Sequence, residues 1–213
     1  GPRKSLTNRW RPIWVERGPT TARGRRKLER AGEALLADPD FRAGRIRRLL
    51  AEMGEEWLDL DRRIEALDRE FVELARNDAA ARRLTTIPGI GVLNATALVA
   101  AVGDGTTFAR ARDLGAWLGL VPRQHTTGGK PRLLGISKRG NRYLRTLLIH
   151  GARAALPPLA RSQTLLGAWL RSLLVRRHRN TVVVALANKL ARIAWVTLRR
   201  EAPFEADRAA AAA

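Results

Sequence analysis

The chain has 213 residues and a formal net charge of +20, with 45% hydrophobic residues and no cysteine. That length supports one or two domains with a buried core, and the apolar content excludes a chain disordered for want of hydrophobic residues. The missing cysteines exclude a disulfide framework and a thiolate metal site, while the charge calls for a polyanionic partner, most commonly a phosphate backbone.

Gly1-Pro2 reads as the remnant of a cleaved tag and is set aside. The polar, basic N-terminus does not resemble a secretory signal, and no apolar run approaches the ~20 residues of a spanning helix. The expected setting is therefore the cytoplasm, with no membrane partner. The charge is unevenly spread: most carboxylates fall before Asp78, and from Gly105 to Arg200 the only one is Asp113, amid many lysines and arginines. The cation is thus the footprint of one half of the molecule.

Residues 3–43 read as a basic linker broken by Pro12, Gly18, Pro19 and Gly24, with a short helix over roughly Arg23–Leu36. Residues 44–80 form an arm. Ile46, Leu50, Met53, Trp57, Leu60, Ile64, Leu67, Phe71 and Leu74 are spaced by alternating fours and threes, a heptad seam sustained over about four heptads. The seam predicts either a coiled coil, with self-association through residues 44–78 as dimer or tetramer, or an ordinary amphipathic core helix.

Residues 81–200 form the main helical domain. Ile87-Pro88-Gly89-Ile90-Gly91 sits between two helical patterns, the shape of a helix–hairpin–helix. Gly89 and Gly91 would allow a tight turn and close approach of a phosphate to the free N–H groups opening the second helix. The alternative is a corner without a ligand. A helix is expected at about Ala109–Leu118, capped after Thr106-Thr107, with Asp104 in a turn. Gly128-Gly129 between two extended stretches predicts a small β-hairpin over Val121–Leu134. Its side chains Arg123, Gln124, His125, Lys130 and Arg132 would lie along a nucleic-acid backbone.

An apolar helix follows to about Leu156, ended by Pro157-Pro158, and two more cover about Gln163–Arg176 and Val182–Arg200. Residues 201–213 read as a disordered tail. The tryptophans read as core anchors more than stacking platforms. The fold class is all-α, mostly helical, with a helix–hairpin–helix, a small β-hairpin and a long helical arm.

Ser137 stands out. It lies on a presumed loop just before a helix, among Lys138, Arg139, Arg142 and Arg145. Cations there would lower the cost of charge building on an attacked phosphoryl group, and a serine nucleophile would conserve the phosphoester bond for rejoining. The plainer alternative is that Ser137 caps the helix. His125, His150 and His178 are far apart and lack carboxylate partners, and no Asp/Glu cluster exists in the basic half, so no metal site is expected there.

The motifs LTTIPGIG (84–91), ATALVAAVGD (95–104), AWLGLVPRQHTTGGK (116–130) and GISKRGNRYLRTLLIHGARA (135–154), with ALANKLARIAW (185–195), are long and specific. With them the chain resembles, over most of residues 44–200, the C-terminal transposase domain of the insertion-sequence 110 family, in the branch typified by insertion sequence 1111. These are bridge-RNA-guided DEDD serine recombinases. The resemblance implies that Ser137 is the nucleophile, that DNA is the substrate and a structured guide RNA a partner, and that tetramers act at the bacterial nucleoid. It also implies a composite active site, with the serine of one protomer beside an RNase-H-like (RuvC-like) acidic domain of another. On this reading that domain is expected to be absent from the chain. The chain is thus expected to hold no cofactor, magnesium belonging with the acidic half, and to be inactive in strand cleavage alone. The rival reading is a non-catalytic nucleic-acid-binding and oligomerisation module.

Overall fold

The computed structural model describes residues 44–206, together with Arg30, Ala34 and Ala37. The expected helix near 23–36 falls almost wholly outside the described residues, as do the basic linker and the tail from 207. The chain divides into two compact units, residues 1–69 and 70–213.

Helix α1, Gly44–Asn77, runs unbroken for 34 residues. In the first unit Leu50, Met53 and Trp57 of the seam are buried, Leu60 and Ile64 are half-buried, and Leu67 is exposed. In the second unit Leu74 is exposed, and Ala75 joins the core. The fully buried seam residues thus lie near the start of the helix; further along Phe71 is half-buried, and Leu67 and Leu74 are open.

Asp78 starts α2 (Ala79–Thr85) by accepting from the Ala80 and Ala81 N–H groups. After the turn 86–91 comes α3, Val92–Val102. Helix α4 spans Ala111–Trp117, two residues later than expected. The threonines do not cap it, because Thr106 donates both its N–H and its hydroxyl to Asp104. Instead Arg110 is the extended N-cap residue, and its N–H donates to Asp113 Oδ2 at 3.0 Å.

Strands β1 (Pro122–Thr127) and β2 (Lys130–Ile136) pair antiparallel in a two-stranded sheet. Gly128 and Gly129 both have positive φ, the requirement of a two-residue type I′ turn.

Helix α5 spans Arg142–Arg161 and passes straight through Pro157 and Pro158, where the sequence pattern predicts its end. Each proline removes the N–H that would bond the carbonyl four residues back, here those of Arg153 and Ala154. All four residues lie on the exposed side, where the freed carbonyls are open to solvent, while Ala155 and Leu156 stay buried. Core packing thus outweighs the local breaking signal. Thr164 caps α6, Leu165–Arg176, and His178 caps α7, Arg179–Arg200.

Helix α7 is the centre of the second unit. Val182, Val183, Leu186, Ala187, Leu190, Ala191, Ala194 and Leu198 are buried along it, against α5, α4 and α2. This corrects one expectation: α7 is 22 residues long and apolar enough to cross a membrane by length and composition. Most of that apolar surface is consumed by the core. Trp195 is an anchor as expected, its Nε1–H donating to the Gly105 and Phe108 carbonyls. Trp117 is 38% exposed and only tilts against Phe108. The tail does not leave the body at residue 201: the Phe204 N–H donates to Thr86 Oγ1, and the ring packs on the core.

Candidate functional site

The loop Ser137–Gly140 is pressed onto the backbone at the end of α4. The Ser137 N–H donates to the Val121 carbonyl at 2.8 Å, and the Lys138 N–H to the Gly119 carbonyl at 3.1 Å. Two glycines make this closeness possible. A Cβ on Gly119 would overlap the Arg139 carbonyl oxygen, and one on Gly140 the Trp117 carbonyl oxygen. Lys138 adopts φ +57, a conformation that costs a non-glycine residue about 1 kcal/mol. The loop is therefore over-determined by its surroundings.

Ser137 does not cap α5. That role belongs to Asn141, whose side chain accepts from the Leu144 N–H at 3.0 Å. The Ser137 hydroxyl is half-buried and makes no side-chain hydrogen bond to a described residue. Around it Lys138, Arg139 and Arg142 are exposed, and none forms an ion pair with a described carboxylate. Such cations are available to a phosphate.

Arg145 departs from the expectation that it joins the cations facing a phosphate. It is buried at 9% exposure, and its Nη1 donates to the Leu118 carbonyl at 2.9 Å and the Arg139 carbonyl at 3.4 Å. It therefore ties the serine loop to α4 and is turned away from any external phosphate. A signal for this is present in the sequence: Arg145 falls in the stripe continued by Leu148, Ala152 and Leu156, which is buried throughout. Asn141, Gly119 and Gly140 are the other site-building residues that sequence reasoning misses.

The hairpin carries Arg123, Lys130 and Arg132, all exposed, as is every residue of β1. His125 pairs with Arg132 and Thr127 with Lys130, so these four share one face; Gln124 and Leu133 pair on the other. A register shift between Pro122 and Gln124 sets Arg123 at a bulge. One face of the ribbon is thus cationic.

Gly89 and Gly91 lie apart in role as well as place. Gly89, at φ +90, faces Gly151 of α5; a Cβ on it would sit 2.7 Å from the Gly151 carbonyl oxygen. Its glycine character serves helix packing. Gly91 is the N-cap of α3 with open space beside it. The first-turn N–H groups there have no intrahelical acceptor. Gly91, Val92 and Leu93 line an open cleft of about 620 Å³ together with Asn94, Leu147 and His150. Asn94 secures the corner, its Nδ2 donating to the Gly89 and Leu147 carbonyls.

Among the described residues no three His, Asp or Glu side chains converge, and Asp113 is engaged by Arg110. These residues do not fit a catalytic metal.

Residues 81–164 match the Transposase IS116/IS110/IS902 family. The chain is 45% identical over 93% of its length to a probable family 20 transposase of Pseudomonas aeruginosa, covering 60% of that protein. It is 42% identical over 95% of its length to the transposase for insertion sequence element IS1111A of Coxiella burnetii, covering 56% of it. It is 40% identical over 95% of its length to the transposase for IS1328 of Yersinia enterocolitica, covering 60%. The chain therefore spans somewhat more than half the length of these relatives.

Proposed function

We propose that the chain acts in DNA transposition, with Ser137 as the nucleophile of strand exchange; the match of residues 81–164 to the Transposase IS116/IS110/IS902 family supports the first part of that reading. The observation that carries this reading is a serine held by its own and the next N–H group, with its hydroxyl unspent on a helix cap and three exposed cations beside it.

In the proposed reaction Ser137 Oγ bonds to phosphorus as a phosphorus–oxygen bond to deoxyribose breaks. The leaving oxygen becomes a strand-end hydroxyl, and the phosphoester is kept on the serine. A hydroxyl of a second strand then attacks the phosphoserine, restores Ser137 and seals the new junction. Lys138, Arg139 and Arg142 would neutralise the phosphate. Arg123, Lys130 and Arg132 of the hairpin, and the N-terminus of α3 beyond Gly91, would hold neighbouring phosphates.

Among the described residues no three His, Asp or Glu side chains converge, and the acidic, metal-binding domain that the family resemblance implies would be the part that supplies a metal. Guidance by a structured RNA rests on the family resemblance. Self-association through α1 is supported by the open seam residues Leu67 and Leu74; a clean monomer at high concentration in sedimentation would remove it.

The deciding experiment is Ser137→Ala in the complete transposase. Loss of strand exchange and of the covalent protein–DNA adduct, with DNA binding intact, is the expected outcome. Unchanged recombination leaves a non-catalytic binding module.

A further inference from the structure

Arg145 presents an electrostatic puzzle. It is a buried cation, and no described carboxylate pairs with it. It also lies in the first turn of α5, where its own helix presents the positive end of its dipole. Burying a charge in such a place is costly unless hydrogen bonds compensate. The compensation comes from another element. Leu118 is the C-cap of α4, and its carbonyl lies at the negative end of that helix. Nη1 donates to that carbonyl and to the Arg139 carbonyl. One guanidinium therefore joins the end of α4 to the middle of the serine loop.

Among the described residues no other side chain hydrogen-bonds to the loop. It is also held by the two backbone bonds to Val121 and Gly119 and by the close backbone approaches at Gly119 and Gly140. An apolar side chain at position 145 would serve core packing with less desolvation, but it would release the Arg139 carbonyl.

We propose that Arg145 is a positioning residue for Ser137, its buried guanidinium bracing the loop between α4 and α5 so that the hydroxyl meets phosphorus in line. This rests on the reading of Ser137 as nucleophile. A displacement of about 1 Å at a reacting group can cost about 100-fold in rate, so bracing matters for chemistry well before it matters for folding.

The test compares Arg145→Gln, Arg145→Lys, Gly119→Ala and Ser137→Ala in the complete transposase. The readouts are the single-turnover rate of serine–DNA adduct formation, the DNA dissociation constant and the melting temperature. For Arg145→Gln the rate should fall between about tenfold and 100-fold, while DNA affinity stays close to wild type. Arg145→Lys keeps a cation able to reach one carbonyl and should recover part of the rate. Gly119→Ala would set a Cβ against the Arg139 carbonyl oxygen and should slow the same step.

If Ser137→Ala still forms product normally, the nucleophile reading fails and the positioning role falls with it. If Ser137→Ala is inactive but a folded Arg145→Gln reacts at the wild-type rate, the positioning role alone is overturned. A rate that falls only in proportion to DNA affinity, with no rescue by lysine, overturns it too. Should Arg145→Gln fail to fold, unchanged rates in both Arg145→Lys and Gly119→Ala overturn the positioning role in its place.

Discussion

Strand β2 ends at Ile136 and the serine loop begins at the next residue, yet the two segments are held in opposite ways. The hairpin stands out from the body with every residue of β1 exposed and its shape set by a two-glycine turn. The serine loop lies flat on other backbone, fastened by hydrogen bonds from Ser137, Lys138 and Arg145. Both are rich in arginine and lysine, and neither contains a carboxylate. A basic run can thus be an outward-facing contact surface or part of the frame that sets a reactive group, and burial tells the two apart.

The largest expected effect comes from adding one methyl group at matched positions. Gly140 and Gly128 both have positive φ, at +90 and +56. A Cβ on Gly140 would run into the Trp117 carbonyl, whereas one on Gly128 meets nothing within 4 Å. Gly140→Ala should therefore destabilise the fold by about 3 kcal/mol or more, as a steric clash added to backbone strain. Gly128→Ala should cost only about 1 kcal/mol, the strain alone. Urea unfolding of the two variants checks this, and similar losses would mean the loop can lift away from α4.

A middle-sized effect separates outward from inward cations. Replacing Arg123, Lys130 and Arg132 together by glutamine should lower DNA affinity about tenfold to 100-fold at physiological salt and reduce the salt slope by about 2 to 3. Stability should stay within about 0.5 kcal/mol, since these side chains touch little. Arg145→Gln should show the reverse, with the salt slope unchanged. Salt titrations that gave both variants the same slope would erase the distinction.

How far the sequence foretells this contrast depends on how local each signal is. The hairpin is legible because Gly128-Gly129 needs no distant partner to specify its turn, and α1 because its apolar spacing recurs over its length. The end of α5 is not, because Pro157 and Pro158 break a helix only where the freed carbonyls lack water and the flanking residues lack a core. Arg145 is legible only through its spacing: it falls in the apolar stripe of Leu148, Ala152 and Leu156, a signal that the surrounding basic run masks. The pressed contact between Gly119 and Arg139 spans twenty residues of chain, and neither position announces it.

The smallest expected effect addresses Ser137 itself, where two residue types able to cap a helix lie four positions apart. Only one of them does so. Asn141 accepts from the Leu144 N–H, so Asn141→Ala should lower stability by about 1 kcal/mol, the usual loss for a cap. Ser137 fastens the loop through its backbone N–H, which alanine keeps, so Ser137→Ala should leave stability within about 0.5 kcal/mol of wild type. Thermal melting of the two variants measures the difference. A cap-sized loss at Ser137 would mean that its hydroxyl has structural work in the loop, and a defect in strand exchange could then reflect a disturbed frame. Stability untouched at Ser137 and reduced at Asn141 would leave the serine hydroxyl without a structural task, which is the condition a nucleophile has to meet.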